Sequence, residues 1–207
     1  MARPIRPGRG RRHPRPRVRG VALGSVTALV VALGAVFAVR ALRPGAHAAS
    51  DQPPAVGALA PDLTFTTVSG QRLSVADLRG HPALLWFVTT WCSSCQAGTQ
   101  VMAQDVGRLA ADGVRVVELE LYGDLGGPGP DIATFGRQNA GPAFADPDWI
   151  WGYASRRMSL AYDPAGYLDI YYLLDTHGRI RYVNGSPAAT MPDLLAAAAR
   201  WGLPATR

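Results

Sequence analysis

The chain has no lysine, and among its 207 residues only two are cysteine and four are histidine. Without lysine, arginine supplies every basic side chain, 21 in all. Ten of these fall within residues 1–43, where there is no acid, and all 15 acidic residues lie beyond. From Pro44 onward 11 arginines stand against 15 acids, a net charge of −4. The overall charge of +6 therefore describes a basic tail joined to a mildly acidic body, and nucleic acid is not an expected partner. The scarcity of cysteine and the scatter of His13, His47, His81 and His177 argue against a structural zinc site, which needs four converging ligands. No metal or cofactor is expected.

Charge is also missing from Gly20 to Val39, where only Ser25 and Thr27 are polar. As a helix these residues would span about 30 Å, the hydrocarbon thickness of a bilayer. Eight arginines precede the run and only Arg40 and Arg43 closely follow it, so the positive-inside rule orients the N-terminus to the cytoplasm. Ala46-His47-Ala48 has the form of a signal-peptidase site, but the apolar run is long for a cleaved signal and two arginines separate it from the site. The expectation is a basic tail (1–19), a retained single-pass signal anchor in the cell membrane (20–39), a flexible tether (40–56) and an extracytoplasmic domain (57–207).

Within that domain the pattern alternates between strand and helix. Leu63–Val68 and Gln71–Val75 flank a Ser69-Gly70 hairpin signal. Ala83–Thr89 is a continuous apolar run, expected of a strand buried on both faces. Residues 92–112 turn helical up to a stop at Gly113, and Val114–Leu121 is the next strand, completing a βαβ unit. A loop over 123–130, a short helix near 131–138, a hairpin about Thr176-His177-Gly178 and a final helix over 191–201 follow. The fold class expected is α/β, a mixed sheet flanked by helices.

The two cysteines sit in "TTWCSSCQAG", residues 89–98. Cys92 ends a buried strand and begins a helix, where backbone N–H groups and the helix dipole stabilise a thiolate. Cys95 lies one turn on, close enough to attack a mixed disulfide formed at Cys92. A fixed structural disulfide is disfavoured, because a four-residue loop gains little from loop closure. CxxC between strand and helix, preceded by Trp91, matches the dithiol of the thioredoxin superfamily.

The longer stretch from Ala60 to Cys95 resembles the opening of the TlpA/ResA-like membrane-anchored thiol–disulfide oxidoreductases. The likeness is carried by Pro61-Asp62-Leu63, Gly70, Leu73, Asp77-Leu78-Arg79-Gly80, Leu84 to Val88 and Trp91 to Cys95, with Phe144–Asp148 and Tyr172–Ile180 as later landmarks. It implies a thioredoxin-like fold, Cys92 as nucleophile, Cys95 as resolving cysteine and Trp91, Ser93 and Ser94 in support. It also implies protein thiol and disulfide partners, a membrane electron donor and work such as cytochrome maturation.

The departures define the open questions. Six residues before Asp175, where the family has a cis-proline, this chain has Asp169. A carboxylate there would disfavour a Cys92 thiolate or accept the Cys95 proton; the plainer reading is a solvated turn residue. The family's glutamate three residues after the second cysteine is Gly98. Glu118 and Glu120 share one strand face; a solvent-exposed face is the ordinary expectation, and on a buried one either could substitute as a proton shuttle. Trp149, Trp151, Tyr153, Tyr162 and Tyr167 read as a satellite core under a long loop or as a partner surface.

Two other functions fit parts of the pattern. Thr89, three residues before Cys92, matches the peroxiredoxin T-x-x-C, although Leu85 stands where that family has proline. A Sco-like copper-handling protein would use a histidine near Asp169, but His177 falls in the following hairpin.

Overall fold

The computed structural model describes residues 52–202. The basic tail, the expected membrane anchor and tether residues 40–51 lie outside the described residues. Among the described residues no helix is long and apolar enough to cross a membrane.

Seven strands form one mixed sheet in the order β2-β1-β5-β4-β3-β6-β7. They are β1 (Thr64–Thr67), β2 (Arg72–Ser74), β3 (Ala83–Val88), β4 (Arg115–Glu120), β5 (Trp149–Ala154), β6 (Asp169–Leu174) and β7 (Ile180–Gly185). Only β3–β4 and β4–β5 pair in parallel. Each of those connections needs a crossover helix, supplied by α1 (Ser93–Ala111) and α2 (Ile132–Ala140). The remaining helices are α3 (Arg156–Tyr162) and α4 (Pro187–Trp201).

β3 is central and buried at every residue, which explains its unbroken apolar sequence. Alternation along it splits the core in two. Leu84, Trp86 and Val88 join Met102, Leu109, Phe135 and Leu194 under α1, α2 and α4. Leu85 and Phe87 face the other way, toward Met158 and Tyr162 of α3.

Two sequence expectations need correction. The aromatic segment after Asp148 is no satellite core under a loop. Trp149–Ala154 is a strand inserted between β1 and β4, and the Trp149 and Trp151 rings stack 4.5 Å apart within the main core. Its period-two tryptophans are a strand signal that the neighbouring Asp, Pro and Gly residues masked. The last helix begins at Pro187, four residues before the expected start. Proline is suited to a first turn, where its missing N–H has no helical partner. Pro192, read as the first-turn proline, lies inside the helix.

Candidate active site

β3 ends at Val88, and the turn Thr89-Thr90-Trp91 leads into α1, with Cys92 as its N-cap at φ −83° and ψ 124°. From that position the Cys92 Sγ accepts a hydrogen bond from the Cys95 backbone N–H at 3.4 Å. The Ser94 hydroxyl lies 3.0 Å from the same sulfur. An anion at Sγ is thus met by amide and hydroxyl donors and by the positive end of a 19-residue helix. Both cysteines are free thiols. Cys92 keeps 6% exposure, while Cys95 has none.

Cys95 is in the opposite situation. Its thiol donates to the carbonyl of Leu168 at 2.9 Å. Burial first, then the charge of Asp169, push its pKa far up. The environments therefore separate the pair: Cys92 is the accessible nucleophile, and Cys95 stays protonated until a base takes its proton.

Two buried carboxylates lie behind the dithiol, both on the sheet face that carries Trp86. Glu118 of β4 pairs in register with Trp86 of β3 and is fully buried. The expectation that its strand face is exposed is wrong, because α1 and α2 cover that face. Its Oε1 accepts from the Thr99 hydroxyl at 2.9 Å, one turn beyond Cys95. Its Oε2 has no hydrogen-bond partner, although Trp149 lies near enough to favour the charged form. Burial dominates, and holds the Glu118 pKa well above the carboxylate range. Glu120, half-buried at the same strand's end, accepts from the Ile132 N–H and is pushed up to about 7 by burial and by the nearby Asp124 charge.

Asp169 is the first residue of β6, opposite Val88, and is 9% exposed, so it is not a solvated turn residue. Its Oδ1 accepts from Trp86 Nε1 at 2.7 Å, and Oδ2 lacks a hydrogen bond of good geometry. Burial raises its pKa against the opposing influence of Trp86, Ser94 and Ser186. The described residues contain no cis peptide bond. Gly98, where the family has glutamate, is a packing position: a Cβ there would lie 2.9 Å from the Trp86 ring and 3.3 Å from Pro187. Trp86 thus fills the space beside Gly98 and hydrogen-bonds Asp169.

The structure gathers Trp91, Ser94, Glu118 and Asp169 about Cys92 and Cys95, and leaves Ser93 exposed on the first turn of α1. Sequence reasoning missed Thr99, Leu168 and Asp124. The last accepts from the Thr90 N–H and hydroxyl at 2.8 and 2.7 Å, and its carbonyl accepts from Trp91 Nε1 at 2.8 Å. A lone acid within a glycine-rich loop was its only signal. His177 belongs to the β6–β7 turn, while Asp169 opens β6, so the six-residue strand places them about 20 Å apart. Among the described residues no cluster of metal-ligating side chains occurs.

Known proteins with similar sequences agree with this geometry. The profile of the AhpC/TSA family matches residues 56–123. Soluble secreted antigen MPT53 of Mycobacterium tuberculosis is 30% identical over 133 residues, 64% of this chain and 70% of the antigen. Thiol-disulfide oxidoreductase ResA of Bacillus subtilis is 29% identical over 65 residues, 31% of this chain and 36% of ResA. By fold, the thioredoxin domain of a thiol-disulfide oxidoreductase from Bacteroides vulgatus superposes with a TM-score of 0.51 at 16% identity, over 69% of this chain and 99% of that domain. Copper-bound ScoI of Arabidopsis thaliana superposes with a TM-score of 0.52 at 14% identity, over 69% and 99%. Strand–CxxC–helix geometry, sequence likeness and fold converge: the chain belongs to the AhpC/TSA family of the thioredoxin superfamily, among its thioredoxin-like thiol–disulfide oxidoreductases.

Proposed function

We propose that this chain is a membrane-anchored, extracytoplasmic oxidoreductase that exchanges its Cys92–Cys95 dithiol with disulfides of other proteins. The observation that carries the reading is the asymmetry of the pair: one sulfur at a helix N-terminus with donors around it, the other buried, protonated and one turn away. In the reducing direction the Cys92 thiolate attacks a substrate disulfide, and one substrate thiol leaves with a proton. Cys95 then gives its proton to a buried carboxylate and attacks the mixed disulfide. The products are the second substrate thiol and the Cys92–Cys95 disulfide, so two electrons have passed to the substrate. Asp169, whose charge bears directly on Cys95, supplies the acceptor. A membrane dithiol donor, engaged because residues 20–39 hold the enzyme at the membrane, resets the pair.

The other two readings find less support. The Thr89 side chain is fully buried, and its hydroxyl makes no hydrogen bond to Cys92, so it cannot steer a peroxide there. The histidine that a copper site would need is at the far end of β6.

The test is the reduction potential of the full chain together with mutant trapping. Reversible two-electron titration of Cys92 and Cys95 is expected, near about −270 mV for a reductase or about −120 mV for an oxidant. Cys95→Ser is expected to accumulate mixed disulfides with protein partners, and Cys92→Ser to form none. A pair that does not titrate reversibly refutes the proposal.

A further inference from the structure

Asp169 is fixed in place by neutral groups alone; none of the groups that act on its charge is a cation. Its Oδ1 takes the Trp86 indole N–H of β3, and its carbonyl accepts from the Ser186 N–H at 3.3 Å. Ser186 takes a left-handed φ of 51°, and a Cβ on Gly185 would lie 2.5 Å from the Asp169 carbonyl oxygen. Strain of this kind persists only where surrounding contacts over-determine it. The turn into α4 thus holds the Asp169 backbone and Trp86 holds one side-chain oxygen. Oδ2 is left buried, with no hydrogen bond of good geometry.

The Ser94 hydroxyl of α1, like that of Ser186, lies near enough to Asp169 to favour the charged carboxylate. The same Ser94 hydroxyl is 3.0 Å from Cys92 Sγ. Sulfur, hydroxyl and carboxylate therefore form a row, and Ser94 has a single hydrogen to serve both neighbours. If Cys92 and Asp169 were both ionised, two anions only 6% and 9% exposed would compete for it. A thiolate that lost would keep only the long Cys95 amide contact at 3.4 Å.

One added proton completes the row in either direction. The thiol donates to Ser94 and Ser94 to the carboxylate, or the carboxyl donates to Ser94 and Ser94 to the thiolate. Cys95 of α1 and Glu118 of β4 also feel the Asp169 charge, but burial makes both hold their own protons more tightly.

We propose that Ser94 relays the Cys92 proton to Asp169, so that nucleophile and carboxylate share one proton. The inference rests on the exchange function proposed above and supplies the base for its first step. As Cys92 attacks a substrate disulfide, its S–H proton passes to Ser94 Oγ and the Ser94 hydrogen passes to Asp169 Oδ2. The Cys92–substrate bond forms as the substrate S–S bond breaks. The leaving sulfur takes the electron pair and the proton that Asp169 gives up. The carboxylate is then free for the proton of Cys95, so one base serves the two cysteines in turn.

The test is the rate of Cys92 alkylation by iodoacetamide between pH 5 and pH 10, read by mass spectrometry on the reduced full-length protein. Cys95 has no exposure and does not compete. Two groups that share a proton titrate in two macroscopic steps. The wild-type rate is expected to rise, to level off below the ordinary thiol pKa of about 8.5, and to rise again. Ser94→Ala is expected to show one rise, with a rate about 10-fold below the wild-type plateau yet nearly equal to wild type at pH 10. Asp169→Asn, which keeps an acceptor for Trp86, also loses the plateau. Ser94→Thr retains the hydroxyl and restores it. A single rise in the wild type, or a Ser94→Ala rate lowered equally at every pH, overturns the proposal. Alkylation needs no disulfide, which separates the two readings. Two steps without turnover of a peptide disulfide keep the shared proton and remove the exchange function, whereas turnover with a single step does the reverse.

Discussion

Glu118→Gln isolates the energetic burden of a buried carboxylate. Glutamine is nearly isosteric, and its carbonyl can accept the Thr99 hydroxyl bond at 2.9 Å that Glu118 Oε1 now accepts. What changes is titration. The folded-state pKa of Glu118 is raised well above the ordinary value of 4.5, so between that value and the folded pKa the native protein holds a proton that the unfolded chain releases. The native state then binds more protons, and stability falls as pH rises, by about 1.4 kcal/mol per pH unit for one such group. Glutamine removes that slope. From pH 5 to pH 7 the stability of Glu118→Gln relative to wild type should therefore rise by up to about 2.7 kcal/mol. In a chain of this size that corresponds to a relative Tm gain of about 5–10 °C across the interval. Urea unfolding of the reduced protein at both pH values reads the difference, with m-values checked for equality. Parallel pH profiles would show that Glu118 titrates normally, and the account of a carboxyl kept protonated by burial would fail.

Other perturbations probe neighbouring contacts. Asp175 accepts from the His177 and Arg179 N–H groups and pairs with Arg181 at 2.7 Å, contacts that hold its pKa below the usual range against burial. Its contribution is present above the ordinary carboxylate pKa and is lost as pH falls through the lowered one, so Asp175→Asn should cost about 2 kcal/mol at pH 7 and progressively less as pH falls below the ordinary carboxylate value, measured by denaturant titration. Gly98→Ala places a methyl 2.9 Å from a buried Trp86 ring that Asp169 pins in place. Overpacking costs about 1–3 kcal/mol, and the helix propensity of alanine offsets about 1 kcal/mol, so a net loss of up to about 2 kcal/mol is expected in thermal unfolding. A stabilised Gly98→Ala would mean that the Trp86 ring is free to shift.

The βαβ core, the two hairpins and the dithiol are legible in the chain, because each is written in local periodicity or in adjacent residues. An apolar run as uniform as Ala83–Val88 has few alternatives to a central strand, and CxxC at its end fixes both sulfurs on one helical turn. The family resemblance marked Gly98 and Asp169 as departures. Only the tertiary structure could say what replaces them. Trp86 occupies the space over Gly98 and reaches Asp169, a contact between residues 83 apart in sequence. The direction of a strand face was equally out of reach: Glu118 reads as exposed by alternation, and it is buried because two crossover helices cover that side of β4. The same holds for the β4–α2 loop. Its glycines and its aspartate signal a turn, but a turn has no stated partner until the fold brings Thr90 and Trp91 against it. Local pattern chose the elements and the reacting atoms; packing across the sheet decided which acids are buried and which cysteine is held back.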